Sequence, residues 1–185
     1  MSGHDLGWAL DNADVVVEQA ALEQAMARMA DEIRRDYEEA PVYLTVMHGG
    51  LPFAARLAME VGARGLDLEF DYLHATRYRG DTRGSDLVWK HRPATPLAGR
   101  RVLLADDILD EGHTLAGIIE WCQEQGARDV RVAVLAVKQH DRCVEGVHAD
   151  YIGVHVPDRY VFGYGMDFHE QGRNLPDIHA LKDGA

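Results

Sequence analysis

The stretch RVLLADDILDEGHTLAGI, residues 101–118, decides the fold of this chain. It opens with five residues typical of a buried strand, and four carboxylates then fall within six positions, from Asp106 to Glu111. A glycine follows at position 112, and the residues after it predict a helix over 113–125. A strand that passes through a short turn into a helix is the building unit of a parallel sheet.

The flanking segments repeat this pattern. Residues 42–47 (VYLTVM) and 130–137 (VRVAVLAV) are nearly continuous apolar runs, which are typical of strands buried on both faces. A helix is predicted over residues 51–61, with Pro52 in its first turn, where proline is tolerated. We therefore predict an α/β fold with a parallel-stranded sheet flanked by helices.

Periodicity and composition predict three further elements. An amphipathic helix near the amino terminus is expected to have Asn12 or Asp14 as its cap and to be ended by Pro41. Residues 77–86 (RYRGDTRGSD) contain no aliphatic residue, so they predict a long mobile loop between strands. Residues 66–73 alternate between apolar and acidic types, which predicts a strand with four residues facing the core: Leu66, Leu68, Phe70 and Tyr72.

Composition limits the classes of function. A chain of 185 residues, 46% hydrophobic and 27% charged, fits one globular domain. The net charge of −12 argues against a nucleic-acid-binding surface, which needs clustered lysine and arginine. Cys122 and Cys143 lack the spacing of a zinc ribbon or a disulfide framework, and no stretch reaches the roughly 18 apolar residues of a membrane span. We therefore expect a cytoplasmic protein with neither nucleic acid nor membrane as a partner.

The carboxylates lie where open parallel sheets bind ligands, at the carboxyl end of a strand. The glycine turn and the helix amino terminus offer free backbone N–H groups, which suit a phosphate group. Asp106 and Asp107 can accept hydrogen bonds from two neighbouring ribose hydroxyls, or bind magnesium together with phosphate oxygens. A ribose phosphate would bind to both parts of the site, its phosphate to the glycine turn and its hydroxyls to the two carboxylates. On the pattern alone, a solvated loop that caps a helix stays open as an alternative.

A family resemblance favours the ligand site. The sequence VLLADDILDEGHTL, residues 102–115, is similar to the phosphoribosyl diphosphate motif of type I phosphoribosyltransferases. The tail VPDRYVFGYGMDFHEQGRNLP, residues 156–176, resembles the hypoxanthine-guanine enzymes of that family. The elements between them match in order, so the resemblance covers roughly residues 40–180.

The resemblance implies separate roles for the acidic run. Asp106 and Asp107 match the pair that holds the ribose hydroxyls, directly or through magnesium. Asp110 matches the carboxylate placed near N7 of the purine as its general base or acid. The 5′-phosphate cradle is implied for the next four residues: Glu111, Gly112, His113 and Thr114.

Other positions match family residues outside that motif. Gly49 and Gly50 match the turn that binds pyrophosphate, often with an unusual peptide geometry, and Arg173 matches the arginine that reaches the same group. Asp167 matches a metal-binding carboxylate, which the resemblance adds to Asp106 and Asp107.

Base recognition is implied for three residues. Lys138 matches the lysine that donates to the purine 6-oxo group, a contact that favours hypoxanthine or guanine over adenine. Tyr160 matches the aromatic residue that stacks on the base, and Val161 matches the residue whose backbone meets the base edge.

Arg77 and Tyr78 occupy the place of the Ser-Tyr pair in the mobile loop that closes over the site.

Three residues depart from the family pattern. His48 stands where many members have lysine before the glycine pair, so a titratable group replaces a fixed charge. Glu111 stands where a threonine is usual, and we expect its carboxylate to point away from the phosphate. Arg77 replaces the loop serine.

The implied reaction is transfer of the 5-phosphoribosyl group from phosphoribosyl diphosphate to N9 of hypoxanthine or guanine, giving IMP or GMP and pyrophosphate, with Mg²⁺ as cofactor. The implied architecture is one domain over residues 1–185, with a core of about 40–138 and a hood from about 1–39 and 139–185, assembled as a homodimer or homotetramer. Two alternatives stay open: a phosphoribosyltransferase for xanthine or a pyrimidine, and a non-catalytic nucleotide-sensing regulator. The acidic charge disfavours a regulator that binds RNA or DNA.

Overall fold

The structure, a computed structural model, describes residues 5–77 and 87–184. These residues form two β-sheets and four helices. In chain order the elements are α1 (Leu6–Asp11), β1 (Ala13–Val17), α2 (Gln19–Asp36), β2 (Val42–Val46), α3 (Leu51–Ala63), β3 (Glu69–Arg77), β4 (Leu87–His91), β5 (Arg101–Leu109), α4 (His113–Glu124), β6 (Asp129–Lys138), β7 (Tyr151–Val156), β8 (Val161–Phe162) and β9 (Ile178–Leu181).

The larger sheet has six strands in the order β4-β3-β2-β5-β6-β7. Five of them pair in parallel, and β4 adds an antiparallel strand at one edge. All five residues of β2 are buried, as expected for a central strand covered on both faces. The parallel arrangement brings the carboxyl ends of β2, β5 and β6 to one edge of the sheet. The predicted α/β fold is confirmed.

Helices cover both faces of this sheet. Alternate residues of β5 point to opposite sides, so Leu103 packs in the cluster that contains α2 and α3, and Leu104 packs in the cluster that contains α4. The α2 side is apolar because Leu22, Met26 and Ile33 recur at helical spacing and are fully buried. This two-sided packing holds the strand ends rigidly in register.

The smaller sheet joins the two ends of the chain. Its order is β1-β9-β8, and both pairings are antiparallel. A small cluster around Ala9, Phe162 and Phe168 packs beside it. This sheet forms a small hood, and its strand β8 carries Val161 directly after Tyr160. The boundaries between core and hood given above stay a prediction.

Two sequence predictions are wrong at the amino terminus. The helix with the predicted apolar stripe is α2, which begins at Gln19 and ends at Asp36, ahead of Pro41. Asp14 cannot cap it because Asp14 lies within β1, and Asn12 is the C-cap of α1. Pairing with the carboxyl-terminal strand β9 gives this segment an extended structure that local spacing did not indicate.

The predicted core face of β3 is also wrong. Phe70 and Tyr72 are 62% and 42% exposed, whereas Leu73 and Ala75 are buried. Leu66 and Leu68 are buried as predicted, but they precede the strand. The alternating stretch therefore includes both a connecting segment and the start of β3. The buried positions are even-numbered before the strand, at Leu66 and Leu68, and odd-numbered within it, at Leu73 and Ala75.

The acidic stretch lies differently from the prediction. Strand β5 continues to Leu109, so Asp106 and Asp107 lie inside its carboxyl-terminal half, with Asp106 paired to Val134 of β6. The predicted loop begins at Arg77, the last residue of β3, and Tyr78 lies outside the described residues. Within residues 5–77 and 87–184, no helix is long and apolar enough to cross a lipid bilayer.

Candidate active site

Asp107 borders three cavities at the carboxyl edge of the larger sheet. The turn cavity, about 480 Å³, runs along residues 106–115. The lysine cavity, about 200 Å³, lies between Lys138 and Tyr160, and the arginine cavity, about 320 Å³, lies between Gly49 and Arg173. Of the residues that line any one of these cavities, Asp107 is shared by all three. The three cavities therefore meet at one acidic residue.

The turn cavity is built on the start of α4. Gly112 precedes the helix with φ of +79°, a left-handed conformation that favours glycine, and Ala116 N–H already bonds its carbonyl at 2.8 Å. The N–H groups of His113 and Thr114, in the first turn, have no partner within the helix. They sit at the positive end of the helix dipole, so the turn suits an anion such as phosphate.

Glu111 takes part in this turn through its backbone. Its carbonyl accepts a hydrogen bond from Val144 N–H at 2.9 Å, which ties the turn to the loop after β6. Its carboxylate is 51% exposed and lies 3.5 Å from the His113 ring. The side chain therefore has a partner at the helix start, an interaction that the sequence did not predict.

Asp106 and Asp107 form the floor between the cavities. The backbone N–H of Asp107 donates to Asp106 Oδ1 at 2.9 Å, which fixes the Asp106 carboxylate. Burial, and then the charge of Asp107, raises the pKa of Asp106 well above its ordinary value. Burial likewise raises the pKa of Asp107. Two such carboxylates are stabilised by a cation such as Mg²⁺ or by hydroxyl donors such as those of a ribose.

The glycine pair lies against this floor. A Cβ atom on Gly49 would overlap the Asp107 carboxylate, so only glycine allows that approach. The peptide bond between Met47 and His48, one residue before the bond that leads into Gly49, is cis. Gly50 begins the capping turn of α3. The structure thus brings Gly49 and the acidic pair together, although they come from different strands.

The lysine cavity joins a cation, a carboxylate and an aromatic ring. Lys138 ends β6, and its Nζ lies 2.6 Å from Asp110 Oδ2. Tyr160 is 47% exposed, and its hydroxyl donates to the Asp167 carbonyl at 3.1 Å, which fixes one edge of the ring. Val161 is buried at the same cavity. Two apolar residues that sequence reasoning did not assign complete the lining: Ile108 and Met166.

Asp110 has a second partner that the sequence did not reveal. His140 Nε2 lies 2.6 Å from Asp110 Oδ1, while Lys138 holds the other oxygen. Partial burial acts to raise the pKa of Asp110, but the hydrogen bonds from Lys138 and His140 outweigh it and hold that pKa below its ordinary value. Asp110 is therefore a carboxylate over the whole physiological pH range.

The arginine cavity is lined by two cationic residues, Lys90 and Arg173, and by three acidic ones, Asp106, Asp107 and Glu170. Arg173 donates to the Gly165 carbonyl at 2.8 Å and pairs with Asp167 at 2.8 Å, so its guanidinium is fixed beside the cavity. The rings of His48 and His74 are in contact, with centroids 4.4 Å apart and planes tilted by 58°. Burial lowers the pKa of His74, and the neighbouring charge of His48 acts in the same direction. Five lining residues were not predicted: Met47, His74, Thr76, Lys90 and Glu170.

The three predicted metal ligands are only partly brought together. Asp107 and Asp167 line the lysine cavity, but the Asp167 carboxylate is ion-paired with Arg173. Over the part of the chain that the structure describes, no three His, Cys, Asp or Glu side chains are grouped closely enough to hold an ion by themselves. The pair Asp106 and Asp107 is the arrangement that fits a cation shared with a phosphate ligand.

Comparison with known proteins gives consistent matches. The family model for the phosphoribosyl transferase domain matches residues 12–169. The chain is 31% identical over 175 residues to the hypoxanthine-guanine phosphoribosyltransferase of Streptococcus pneumoniae (strain ATCC BAA-255 / R6), covering 94% of this chain and 95% of that relative. The protein of the same name from Bacillus subtilis (strain 168) is 30% identical over 174 residues, with 93% and 94% covered. The crystal structure of a hypoxanthine phosphoribosyltransferase from Staphylococcus aureus is similar with a TM-score of 0.85, at 25% identity and with 94% of each chain covered.

Proposed function

Because this chain belongs to the phosphoribosyltransferase family, we propose that it transfers the 5-phosphoribosyl group of phosphoribosyl diphosphate to N9 of hypoxanthine or guanine in purine salvage. The observation that carries this proposal is the position of Asp107 at the junction of three cavities. The reaction places a phosphate, a pyrophosphate and a base around one ribose. A junction of three cavities at a carboxylate matches that requirement.

Each part of the substrate has a matching cavity. The 5′-phosphate lies in the turn cavity, bound by backbone N–H groups around Gly112 and by the Thr114 hydroxyl. The ribose hydroxyls donate to Asp106 and Asp107. Pyrophosphate lies in the arginine cavity, where Arg173 and Lys90 offset its charge.

The base lies in the lysine cavity with its 6-oxo edge toward Lys138. O6 and N7 of a 6-oxopurine lie side by side, so a lysine donor next to a carboxylate acceptor complements an O6 acceptor and an N7–H donor. Lys138 and Asp110 supply that pair in contact with each other. The amino group of adenine donates rather than accepts, so it would face the Lys138 ammonium unfavourably. Tyr160 stacks on the ring face.

The chemical step balances within these residues. The bond from the ribose anomeric carbon to the pyrophosphate oxygen breaks, and its electron pair leaves with pyrophosphate. N9 of the purine then forms the new bond to that carbon, and the N7 proton passes to Asp110. The fixed carboxylates Asp106 and Asp107 stabilise the positive charge that develops on the ribose, which is electrostatic stabilisation by preorganised groups.

Mg²⁺ fits the same floor. Asp106 and Asp107 would hold it, directly or through water, because carboxylate oxygens are ligands that Mg²⁺ prefers. Burial raises the pKa of both groups, and the charge of Asp107 further raises that of Asp106, so a cation between them would stabilise their ionised forms. When bound, magnesium neutralises charge on the departing pyrophosphate. Activity is expected to vanish when a chelator removes the ion.

A panel of bases tests the proposal. The protein is incubated with phosphoribosyl diphosphate and magnesium and with hypoxanthine, guanine, xanthine, adenine or uracil, and nucleotide is separated by chromatography. We expect IMP and GMP, with adenine and uracil inactive. Product only from xanthine or uracil would move the protein to another phosphoribosyltransferase class. No product from any base would favour the nucleotide-sensing regulator.

We further propose a cytoplasmic homodimer or homotetramer. Both cysteines, Cys122 and Cys143, are free thiols, which suits a reducing compartment. Four large apolar side chains on α3 and β3 are exposed, and exposed apolar surface is typical of subunit contacts: Leu51, Met59, Phe70 and Tyr72. Light scattering after size-exclusion chromatography tests the assembly, and a monomer at micromolar concentration would contradict it.

A further inference from the structure

The side chain of His140 is buried and in contact with Asp110. His140 lies two residues beyond the end of β6, and its side chain is only 3% exposed. Its Nε2 atom lies 2.6 Å from Asp110 Oδ1. Its other ring nitrogen, Nδ1, accepts a hydrogen bond from Arg142 N–H at 3.0 Å. Both ring nitrogens are therefore engaged.

These two contacts fix the tautomer of the neutral ring. The backbone N–H of Arg142 is always a donor, so Nδ1 must present a lone pair to it. The proton of a neutral imidazole is then on Nε2, where it donates to Asp110. The Arg142 N–H thus donates to the His140 ring, and the His140 ring donates to the Asp110 carboxylate.

The loop that carries His140 is anchored at two points beyond it, Arg142 and Val144. The Arg142 guanidinium forms two hydrogen bonds with the Asp158 carboxylate, at 2.8 Å and 2.7 Å. Val144 N–H bonds the Glu111 carbonyl next to Asp110 at 2.9 Å. The imidazole is therefore held between the acidic turn and the segment that leads to Tyr160.

The two oxygens of Asp110 have different partners. Lys138 holds Oδ2 and His140 holds Oδ1. A purine in the lysine cavity competes with the contact between Lys138 and Asp110 Oδ2, because its O6 accepts from Lys138 and its N7–H donates to Asp110. Once Lys138 turns to O6, His140 is the contact that still orients the Asp110 carboxylate.

We propose that His140 is a positioning residue for the phosphoribosyl transfer reaction: it holds Asp110 through Oδ1, so that Oδ2 is presented to N7 of a 6-oxopurine when Lys138 moves to O6. This inference rests on the proposed function. The charged and titratable groups that face Asp110 and His140 are Lys138 on β6, Glu111 on the turn, Arg142 on the loop and Asp158 before Tyr160.

Three variants separate positioning from simple packing. His140→Leu keeps apolar volume and removes the donor, and His140→Gln keeps an N–H donor that reaches toward Asp110. His148→Leu is the matched control, because His148 lies in the same segment with a side chain that is 78% exposed. Thermal melts monitor the fold of all three.

Steady-state kinetics with hypoxanthine give the first readout. For His140→Leu we expect kcat to fall by roughly 10-fold or more, which corresponds to losing one hydrogen bond to a charged group, with KM for phosphoribosyl diphosphate within about 2-fold. Its acid limb in kcat should move to higher pH, because the carboxylate form of Asp110 loses a donor. His140→Gln should recover most of kcat and of the acid limb, and His148→Leu should match the wild type.

A second readout does not depend on activity. Nitrogen NMR of the histidine-labelled wild-type protein, recorded at a pH where the ring is neutral, should show one buried ring protonated on Nε2 only, and that signal should be missing from His140→Leu. An Nδ1-protonated ring at position 140 would overturn the inference, and so would an active, folded His140→Leu with unchanged kcat and pH profile. A wild-type protein that forms no nucleotide would instead refute the proposed function, whatever the NMR result.

Discussion

The Asp107 carboxylate occupies the space that a Cβ atom on Gly49 would need. Gly49 follows β2 and Asp107 lies on β5, and these strands pair in parallel at the centre of the sheet. The glycine therefore allows the acidic floor and the backbone of the neighbouring turn to share one small space, where the three cavities meet.

Gly49→Ala should remove most of the activity. The added methyl group would push the Asp107 carboxylate away, and a displacement of about 1 Å at a catalytic centre can cost about 100-fold. We expect kcat/KM for phosphoribosyl diphosphate to fall by that order. Gly62→Ala is the control, because a Cβ at this helical position meets no atom within 4 Å. Equal kinetics for both variants would contradict the close approach.

Asp106→Asn should stabilise the protein while it abolishes catalysis. The pKa of Asp106 is raised by burial and by Asp107, so its ionised form costs folding free energy at neutral pH. Asn keeps the acceptor for Asp107 N–H and removes one like charge. We expect a melting temperature higher by roughly 2–4 °C, the change for about 1 kcal/mol at this chain length. A lower melting temperature would show that the pair is not strained.

Lys138→Met should weaken recognition of the 6-oxo group. The variant loses a charged donor that is 14% exposed, worth about 1.5–3 kcal/mol when its partner is buried. We expect kcat/KM for hypoxanthine to fall by roughly 10- to 100-fold. The exposed Lys182→Met serves as control. If hypoxanthine kinetics are unchanged in Lys138→Met, the base does not lie with its oxo edge at this lysine.

Asp110→Asn tests the proton acceptor. A neutral amide cannot take the N7 proton, so turnover should fall by about 10²- to 10⁴-fold if Asp110 is the general base. Because the pKa of Asp110 is held below its ordinary value, the acid limb of kcat in the wild type should lie below the usual carboxyl range. Near-normal turnover of the variant would remove Asp110 from the mechanism.

Asp71 provides a test of stability against pH. Partial burial acts to raise its pKa, but backbone N–H donors including Ala94 and Thr95, at 2.9 Å and 2.8 Å, hold it below the ordinary value. A lowered pKa contributes stability that is full above the unfolded-state pKa and is lost as pH falls through the folded-state pKa.

Asp71→Asn should therefore lower the melting temperature at pH 7 by roughly 2–4 °C, about 1 kcal/mol, with a smaller difference at acid pH. Asp183→Asn, at an exposed position near the carboxyl terminus, is the control. A difference between Asp71→Asn and wild type that grows on acidification would contradict the sign of this linkage.

The central site could be predicted because its parts are contiguous in sequence. Strand, acidic pair, glycine turn and helix follow one another from Arg101 to Glu124, so the order of residues alone indicates that carboxylates and free N–H groups meet. Gly49 and Lys138 were predicted through the family resemblance, and their places at neighbouring strand ends follow from the parallel sheet.

Other parts depend on contacts between distant segments. The inward face of β3 was misassigned at Phe70 and Tyr72 because alternation does not reveal where a strand begins. His140 gave no motif, since its role arises only when the loop after β6 folds back on Asp110. One signal could have drawn attention to His140: it lies two residues after Lys138, which the family resemblance identifies as a substrate contact.

The most direct measurement is a crystal structure with IMP, pyrophosphate and magnesium bound. We predict the 5′-phosphate against the turn at Gly112, the ribose hydroxyls toward Asp106 and Asp107, and purine O6 within hydrogen-bond distance of Lys138 Nζ. Pyrophosphate should lie beside Arg173. A nucleotide bound with its base in the turn cavity, or away from Asp107, would contradict the account.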